Sequence, residues 1–219
     1  KVPFTLLQDG GEHLYIARTG FLGDVLPSHR QIFTSAKTAY TLGAAQNTLE
    51  VRLDTEVSGV KVAKIFVFHK DSYLIDVRYE LQNQSAVTLP IQAYYSLIRD
   101  GAAPSGTSSM VHTFTGPAVY TTEKKFQKVE FSHIDKNDAE YNRSPKDGWV
   151  AMVQHYFVSA WLLKSKQANQ TVDLCASGQC TFELKKLDDA MRGADGKTFP
   201  VYSAAALINF GALKPQETK

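Results

Sequence analysis

The feature that most constrains the fold of this chain is the strict alternation of apolar and polar side chains in several long segments. Leu49, Val51 and Leu53 alternate with charged residues, and the same rhythm returns at residues 73–81 and 89–97. Side chains in a β-strand point to opposite faces in turn, so an alternation of this kind is typical of a half-buried strand. The sequence therefore predicts several long strands, each with one face in a core.

Other segments support the same fold class. Residues 62–68 carry apolar side chains at odd and even positions, which predicts a more deeply buried strand, and turn-forming residues follow it. No apolar stripe with helical spacing runs for three turns, which argues against strand–helix–strand units and a parallel sheet. The predicted fold class is all-β, with long, mainly antiparallel strands in sheets that stack or close.

The second half of the sequence is less regular. Residues 149–163 form its most apolar stretch, which we interpret as a strand, a tight turn near residues 154–156 and a second strand, with a helix as the competing interpretation. Residues 125–131 predict a short edge strand, because lysines discourage edge-to-edge pairing. Residues 201–212 predict a final buried strand.

Length and charge narrow the functional classes. The chain has 219 residues, and its 24 basic and 22 acidic residues give a net charge of +2. This balance lacks the basic footprint of a nucleic-acid-binding protein, so no nucleic-acid partner is expected. No apolar run reaches the roughly 18 residues that span a bilayer. We expect one domain over residues 1–219, with loose ends at about 1–3 and 214–219.

The two cysteines, Cys175 and Cys180, flank a Ser-Gly turn. The spacing permits a hairpin disulfide in an oxidising compartment. If residues 171–175 paired directly with residues 180–184, however, the alternation would place the two cysteines on opposite faces of the hairpin, where they cannot bond without a bulge. The sequence leaves both possibilities open.

Motifs for catalysis or metal binding are lacking. The six histidines do not show zinc-ligand spacing, and neither a nucleophile elbow nor a phosphate-binding glycine loop occurs. No metal, cofactor or catalytic residue is therefore expected, and the chain is predicted not to be an enzyme. The alternative is a sugar epimerase or lyase, with His112 and His155 as acid–base residues beside Asp76 or Glu80. The alternation favours the simpler interpretation that both carboxylates point outward from their strand.

Two groups of side chains are candidates for binding. Lys124, Lys125, Phe126 and Lys128 interleave lysines with an aromatic ring and are our candidate partner surface, although a solvated edge strand has the same pattern. An aromatic cluster near residues 149–161 fits either a ligand groove or, more often, a core. Its members are Trp149, Tyr156, Phe157 and Trp161.

Two stretches resemble a known family. Residues 147–163 resemble the G-G-W-V motif, with its downstream Y-F and A positions, of the large periplasmic domain of YidC-type membrane protein insertases. Residues 112–128 are similar to the H-T-F-x-G stretch of the same domain, with its downstream Tyr and Lys positions. The matching residues are His112, Phe114, Gly116, Tyr120, Lys125, Phe126, Lys128, Gly148, Trp149, Val150, Tyr156, Phe157, Ala160 and Trp161.

The resemblance implies a β-supersandwich of two large sheets with a few short helices, in which most of the matching residues are structural. It implies a periplasmic location, between the first and second transmembrane helices of a Gram-negative inner-membrane protein. That protein inserts and folds membrane proteins, alone or with the Sec translocon, and this domain is associated with the SecD/SecF complex. The stretch itself is then a non-catalytic contact or scaffold domain. Sugar-binding mutarotase-like proteins share the fold, so a carbohydrate-binding or aldose-epimerase-like function is the alternative.

Overall fold

Antiparallel β-strands make up most of the structure, a computed structural model. It describes residues 5–11, 13–103, 113–154, 156–167, 170–193 and 196–219. The elements in these ranges are β1 (Tyr15–Phe21), β2 (Thr34–Ser35), β3 (Thr48–Val57), β4 (Val60–His69), β5 (Ile75–Asn83), β6 (Leu89–Asp100), β7 (Thr115–Thr121), β8 (Lys125–Lys128), α1 (Phe131–Asp135), β9 (Trp149–Gln154), β10 (Phe157–Leu162), β11 (Lys164–Gln167), β12 (Gln170–Asp173), β13 (Cys180–Arg192) and β14 (Thr198–Leu213).

The strands form three four-stranded sheets, with the orders β1-β6-β14-β13, β10-β9-β7-β8 and β2-β3-β4-β5, and one two-stranded sheet, β11-β12. Every strand pair with a described register is antiparallel. The predicted all-β class is therefore confirmed. Within the described ranges, no helix combines the length and apolar character needed to cross a bilayer.

The chain divides into two compact units. Unit 1 consists of Lys1–Thr19 and Ala93–Asn209, and unit 2 of Gly20–Gln92 and Phe210–Lys219. Both units are therefore assembled from segments that are distant in sequence. The single domain expected for residues 1–219 stays a prediction beside this division.

The sheet of unit 2 has a charged face that hides an apolar residue. Ile65 in β4 stands between Arg52 of β3 and Arg78 of β5 and is fully buried. Arg52 reaches across it to Glu80 at 2.6 Å, and Arg78 reaches back to Glu50 at 3.0 Å. The apolar stems of the two arginines cover Ile65 while their charged ends stay in water. This explains why polar and apolar side chains alternate in β3 and β5, whereas β4, which lies between them, is apolar at odd and even positions.

The C-terminal tail is part of unit 2. Thr218 forms a β-bridge with Gln82, and Lys219 and Leu81 exchange two backbone hydrogen bonds of 2.8 and 2.9 Å. The loose end predicted at 214–219 rested on polar composition, whereas in this structure the tail is held through its backbone, to which the side chains give no clue. The other loose end predicted, at residues 1–3, lies outside the described residues.

Buried Asn83, at the end of β5, also organises unit 2. Its Nδ2 donates to the carbonyls of Val87, at 2.8 Å, and Leu213, at 3.2 Å, and its Oδ1 accepts from the backbone of Ser85 at 3.0 Å. One side chain thus satisfies backbone groups of the β5–β6 turn and the end of β14. A buried amide of this kind is costly to remove, because its partners lose their hydrogen bonds.

Unit 1 contains a long strand pair, β13 with β14. Its register runs from Cys180↔Ile208 to Arg192↔Thr198, with a bulge between Leu187 and Ala190. The middle of β14 is almost fully buried. The prediction of a final buried strand over residues 201–212 holds for this part, whereas residues 209–212 are more exposed.

A buried ion pair lies at the end of β6 in unit 1. The side chains of Arg99 and Asp100 are 3% and 1% exposed. Arg99 donates to the side chain of Gln154 and to the carbonyls of Asp100 and Ala102, while Asp100 accepts from the backbone of Leu14 and Ala102. Burial lowers the pKa of Arg99, against the opposing effect of Asp100. These bonds offset desolvation and fix the backbone where β6 ends.

Cys175 and Cys180 are joined by a disulfide, with a Cα–Cα distance of 5.0 Å. Residues 171–175 do not pair directly with residues 180–184, the hairpin considered in the sequence analysis, because β12 pairs with β11 and β13 pairs with β14. Cys175 lies in a turn beyond the end of β12, where strand alternation no longer decides where a side chain points.

Candidate protein-contact site

The sheet β10-β9-β7-β8 of unit 1 gathers many of the residues singled out in the sequence. The two strands predicted within 149–163 are confirmed as β9 and β10, and the described residues of this stretch do not form the competing helix. The predicted edge strand is confirmed over Lys125–Lys128 as β8, the last strand of this sheet, whereas the predicted end at residues 129–131 was wrong, because the strand stops at Lys128 and Phe131 begins α1. Strand β7 lies between β8 and β9 and brings the two motif stretches together.

One register of this sheet carries four large apolar side chains, which we call the cross-strand row: Phe126, Tyr120, Trp149 and Leu162. Phe126 pairs with Tyr120, Tyr120 with Trp149, and Trp149 with Leu162, so the row crosses all four strands. The Tyr120 and Trp149 rings are stacked 5.6 Å apart, and Phe126 lies 5.8 Å from Trp149. Phe126 and Leu162, at the two ends, are 47% and 52% exposed. The row is thus an apolar surface supported from below by the sheet.

Gly148 permits this arrangement. It has φ +110°, and a Cβ atom there would lie 1.8 Å from the carbonyl oxygen of Tyr120. Only glycine lets the backbone pass so close and enter β9 with Trp149 stacked on Tyr120. Its N–H faces the carboxylate of Asp173 at 3.3 Å, which ties this turn to the end of β12.

A second motif cluster lies further along the same sheet. The ammonium of Lys128 is 5.1 Å from the centre of the Phe114 ring, a cation–π contact. A Cβ atom on Gly116 would lie 2.9 Å from the carbonyl oxygen of Val129 and 3.1 Å from the Phe114 ring. Gly116 is therefore needed for close packing of the ring whose face holds the ammonium of Lys128.

The surroundings of the cross-strand row are positively charged. Four exposed lysines lie within two residues of Phe126 or Leu162, and we call them the lysine rim: Lys124, which is 4.0 Å from the carboxylate of Glu123, Lys125, Lys128 and Lys164. Asp147 lies among them and is engaged, since its Oδ1 accepts a 2.8 Å hydrogen bond from the backbone of Thr122. A side-chain hydrogen bond with Thr122 is the main reason why the pKa of Asp147 is lowered, and the backbone hydrogen bond from Thr122 and two of the rim lysines, Lys125 and Lys164, add to the effect. An apolar row with a basic rim suits a partner that offers apolar and acidic side chains.

Other candidates lie elsewhere. Tyr156 is 85% exposed at the far end of the β9–β10 hairpin, with Phe157 beside it. Trp161 points to the other face of β10, with its ring 5.3 Å from that of Tyr95. His112 and His155 lie outside the described residues. The aromatic cluster expected from sequence is therefore divided, and only Trp149 belongs to the row.

Leu162 and Lys164 were missed in the sequence, although a signal existed. Once the turn of the hairpin is placed at residues 155–156, its register pairs Leu162 with Trp149. The pairing of Trp149 with Tyr120 had no such signal, since about 30 residues separate them and no local turn fixes the register.

The carboxylates of the epimerase alternative are engaged in surface ion pairs of unit 2. Asp76 contacts the Nε2 atom of His69 at 2.8 Å, and Glu80 contacts Arg52 at 2.6 Å. Both point outward, as the alternation predicted. Among the described residues, no group of three or more histidine, cysteine or acidic side chains has metal-binding geometry.

Comparison with known proteins shows the family to which this chain belongs. The family model of the YidC periplasmic domain matches residues 1–198. A membrane protein insertase YidC of Laribacter hongkongensis is 52% identical over 187 residues, which cover 84% of this chain and 34% of that protein. One from Neisseria gonorrhoeae is 38% identical over 223 residues, 97% of this chain and 38% of that protein.

The chain thus spans about a third of the length of the relatives that it matches. The match covers both motif stretches and the strands that carry the cross-strand row and most of the lysine rim. The resemblance noted in the sequence is confirmed, and this chain belongs to the family of YidC periplasmic domains.

Proposed function

We propose that this chain is the periplasmic, non-catalytic part of an inner-membrane insertase and that it contacts a protein partner through the cross-strand row. The observation that carries the proposal is the row itself, in which four large apolar side chains cross one sheet and end in two half-exposed residues. Exposed aromatic side chains held rigidly on a sheet are typical of the energetic centre of a protein interface.

The names of the family and of the relatives support the proposed periplasmic location and the proposed insertase as the parent protein. The relatives are named membrane protein insertases, and the matched domain is named periplasmic. In the proposal, the parent protein lies in the inner membrane, and its other parts insert nascent membrane proteins, with or without the Sec translocon. The part described here would supply contacts or a scaffold.

The SecD/SecF accessory complex is the first candidate partner. The lysine rim would speed encounter with an acidic surface, and the row would hold the partner once it has docked. The two contributions are separable, because rim charges mainly affect the association rate and its salt dependence, whereas buried aromatic contacts mainly affect dissociation.

Binding of the purified chain to SecD/SecF tests the proposal. Phe126→Ser and Leu162→Ser, at the exposed ends of the row, should each weaken binding about ten-fold or more, as expected for residues at an interface centre. Tyr73→Ser is the matched control, since Tyr73 is an exposed aromatic residue on unit 2. Equal binding by wild type, row variants and control would reject the surface.

Charge reversal of Lys124, Lys125 and Lys128 tests the rim. The triple variant should bind more slowly, and the difference from wild type should shrink as salt is raised. Recovery of SecD/SecF equal to that of wild type would remove the rim from the proposal.

The carbohydrate-binding alternative has its own test. Clear thermal stabilisation of the chain by a millimolar monosaccharide would favour that function over the contact role. We expect no shift, because the only carboxylates proposed for sugar chemistry, Asp76 and Glu80, are held in ion pairs on an outward face.

A further inference from the structure

The two edge strands of the sheet β10-β9-β7-β8 differ in the charge of their side chains. At one edge, β8 carries Lys125 and Lys128, the kind of protection that keeps edge strands from pairing with other chains. At the other edge, β10 has no charged residue. Val158 and Leu162 are 58% and 52% exposed, and Ala160 between them is also exposed. An exposed apolar edge strand without lysine or proline is open to strand addition.

On one side of β10, the outward N–H and C=O groups of the backbone face no other strand of the described ranges. Phe157 pairs with Gln154 across a two-residue connection, which places the turn hydrogen bond at this pair. In an antiparallel ladder, bonded residues alternate with residues that direct their N–H and C=O groups away. Val158, Ala160 and Leu162 therefore direct theirs away from β9, and no strand of the described ranges pairs with that side.

Neighbouring strands leave this side open. Strand β12 pairs with β11, and Lys164 stands opposite Asp173. Asp173 also accepts the N–H of Gly148, the residue before β9, so β12 continues on the β9 side. The outer edge of β10 thus extends along the chain toward exposed Lys164.

We propose that this edge binds an extended segment of another protein by adding it to the sheet as a fifth, antiparallel strand. Main-chain hydrogen bonds to β10 would hold the segment, and its alternate apolar side chains would lie beside Val158 and Leu162. Lys164 follows at the same edge, so the segment carries acidic residues at the end that lies there. The partner is defined by this chemistry, an apolar strand with an acidic end.

A second copy of this chain fits less well. Two β10 strands paired antiparallel about Ala160 would place Lys164 opposite Tyr156 of the other copy, without a carboxylate for the ammonium. The inference also goes beyond the proposed function, since it concerns main-chain groups at one edge and does not depend on SecD/SecF.

A synthetic peptide probes the edge directly. We would use a labelled peptide with two N-terminal aspartates followed by alternating threonine and valine, and measure its binding to the 219-residue chain by fluorescence polarisation. Binding should saturate below about 1 mM, which corresponds to roughly 4 kcal/mol. A peptide of the same sequence with N-methyl groups on alternate residues cannot donate the hydrogen bonds, and should bind about ten-fold more weakly or worse.

Ala160 supplies a matched pair of variants. Ala160→Pro removes an outward N–H that would donate to a peptide carbonyl, without touching the ladder to β9, at a position where proline is tolerated in an edge strand, and should weaken binding of the unmethylated peptide. Ala160→Val keeps the donor and should bind as wild type does. If Ala160→Pro fails to fold by circular dichroism, the methylated peptide decides the matter alone.

Three outcomes would overturn the proposal. They are equal binding of the plain and methylated peptides, no binding at millimolar peptide, and self-association of the chain that the peptide disrupts. The last would make a second copy the occupant of the edge.

Discussion

Replacing Lys64 by methionine should make the chain more stable at neutral pH. Lys64 lies on the apolar face of the unit 2 sheet, where its register partners are Leu53 and Tyr79 and its neighbours along the strand are Val62 and Phe66. Burial lowers the pKa of Lys64 to about 8. The ammonium is 5.2 Å from the Phe66 ring and 5.9 Å from the Tyr79 ring. These contacts offset only part of its desolvation.

The lowered pKa of Lys64 gives the size of the expected gain in the free energy of unfolding. A decrease from 10.5 to about 8 corresponds to an upper limit of roughly 3 kcal/mol for keeping the charge in the folded state. Partial exposure screens this cost, so we expect a gain of about 1–2 kcal/mol in the free energy of unfolding at pH 7. Methionine keeps the unbranched stem and fills the same space.

The gain should depend on pH in a defined direction. Below pH 8 both the folded and the unfolded wild type are protonated at Lys64, so the full cost is present. Between about pH 8 and 10.5 the folded state releases the proton first, so this contribution to wild-type stability increases with pH. The advantage of Lys64→Met should therefore shrink across that window.

Urea unfolding followed by far-ultraviolet circular dichroism at pH 7.0, 8.5 and 9.5 measures this difference. Lys61→Met is the control, because Lys61 is an exposed lysine on the other face of the same strand and its replacement should leave stability within about 0.5 kcal/mol. The reasoning is refuted if Lys64→Met is no more stable than wild type at pH 7, or if its advantage does not change with pH.

Three further changes test the packing. Gly148→Ala should cost more than about 3 kcal/mol because its Cβ would overlap a carbonyl oxygen, whereas Gly178→Ala, at φ +73° with open space around it, should cost only about 1 kcal/mol; thermal melts would compare them. Replacing Cys175 and Cys180 together by serine should cost about 2 kcal/mol and make the melting temperature insensitive to reductant. Asn83→Leu should cost about 2–4 kcal/mol in urea unfolding, because the Leu213 carbonyl loses its side-chain donor and the Ser85 N–H loses its acceptor, and a loss below 0.5 kcal/mol would contradict its assigned role.

Local patterns predicted the parts of the fold that local physics determines. Alternation located β3, β5 and β6, and the lysines of β8 indicated an edge, because both signals record which side of a strand meets water. The hairpin of β9 and β10 followed from an apolar run with one break in it. Each of these inferences uses residues close in sequence.

The parts that were missed depend on distant pairing. The tail at 214–219 is held by the backbone of β5, and Tyr120 meets Trp149 through a register that no short turn sets. The cysteines were judged from a hairpin that does not form, because the partners of β12 and β13 are other strands. The burial of Lys64 has no local signal in the sequence, since it depends on the strands on either side.

The division of unit 1 between two stretches of sequence has a consequence for its order of assembly. Its sheet needs β1 near the start of the chain and β13 and β14 near the end, whereas the β3–β4–β5 meander of unit 2 uses neighbouring segments. At roughly ten residues per second, ribosomal synthesis of residues 93–209 takes about ten seconds. During that interval β1 can pair with β6, but the other side of β6 must wait for β14, while the meander of unit 2 can already form. The unpaired side of β6 is then exposed for several seconds, and this is the period in which a holding chaperone would have the most effect.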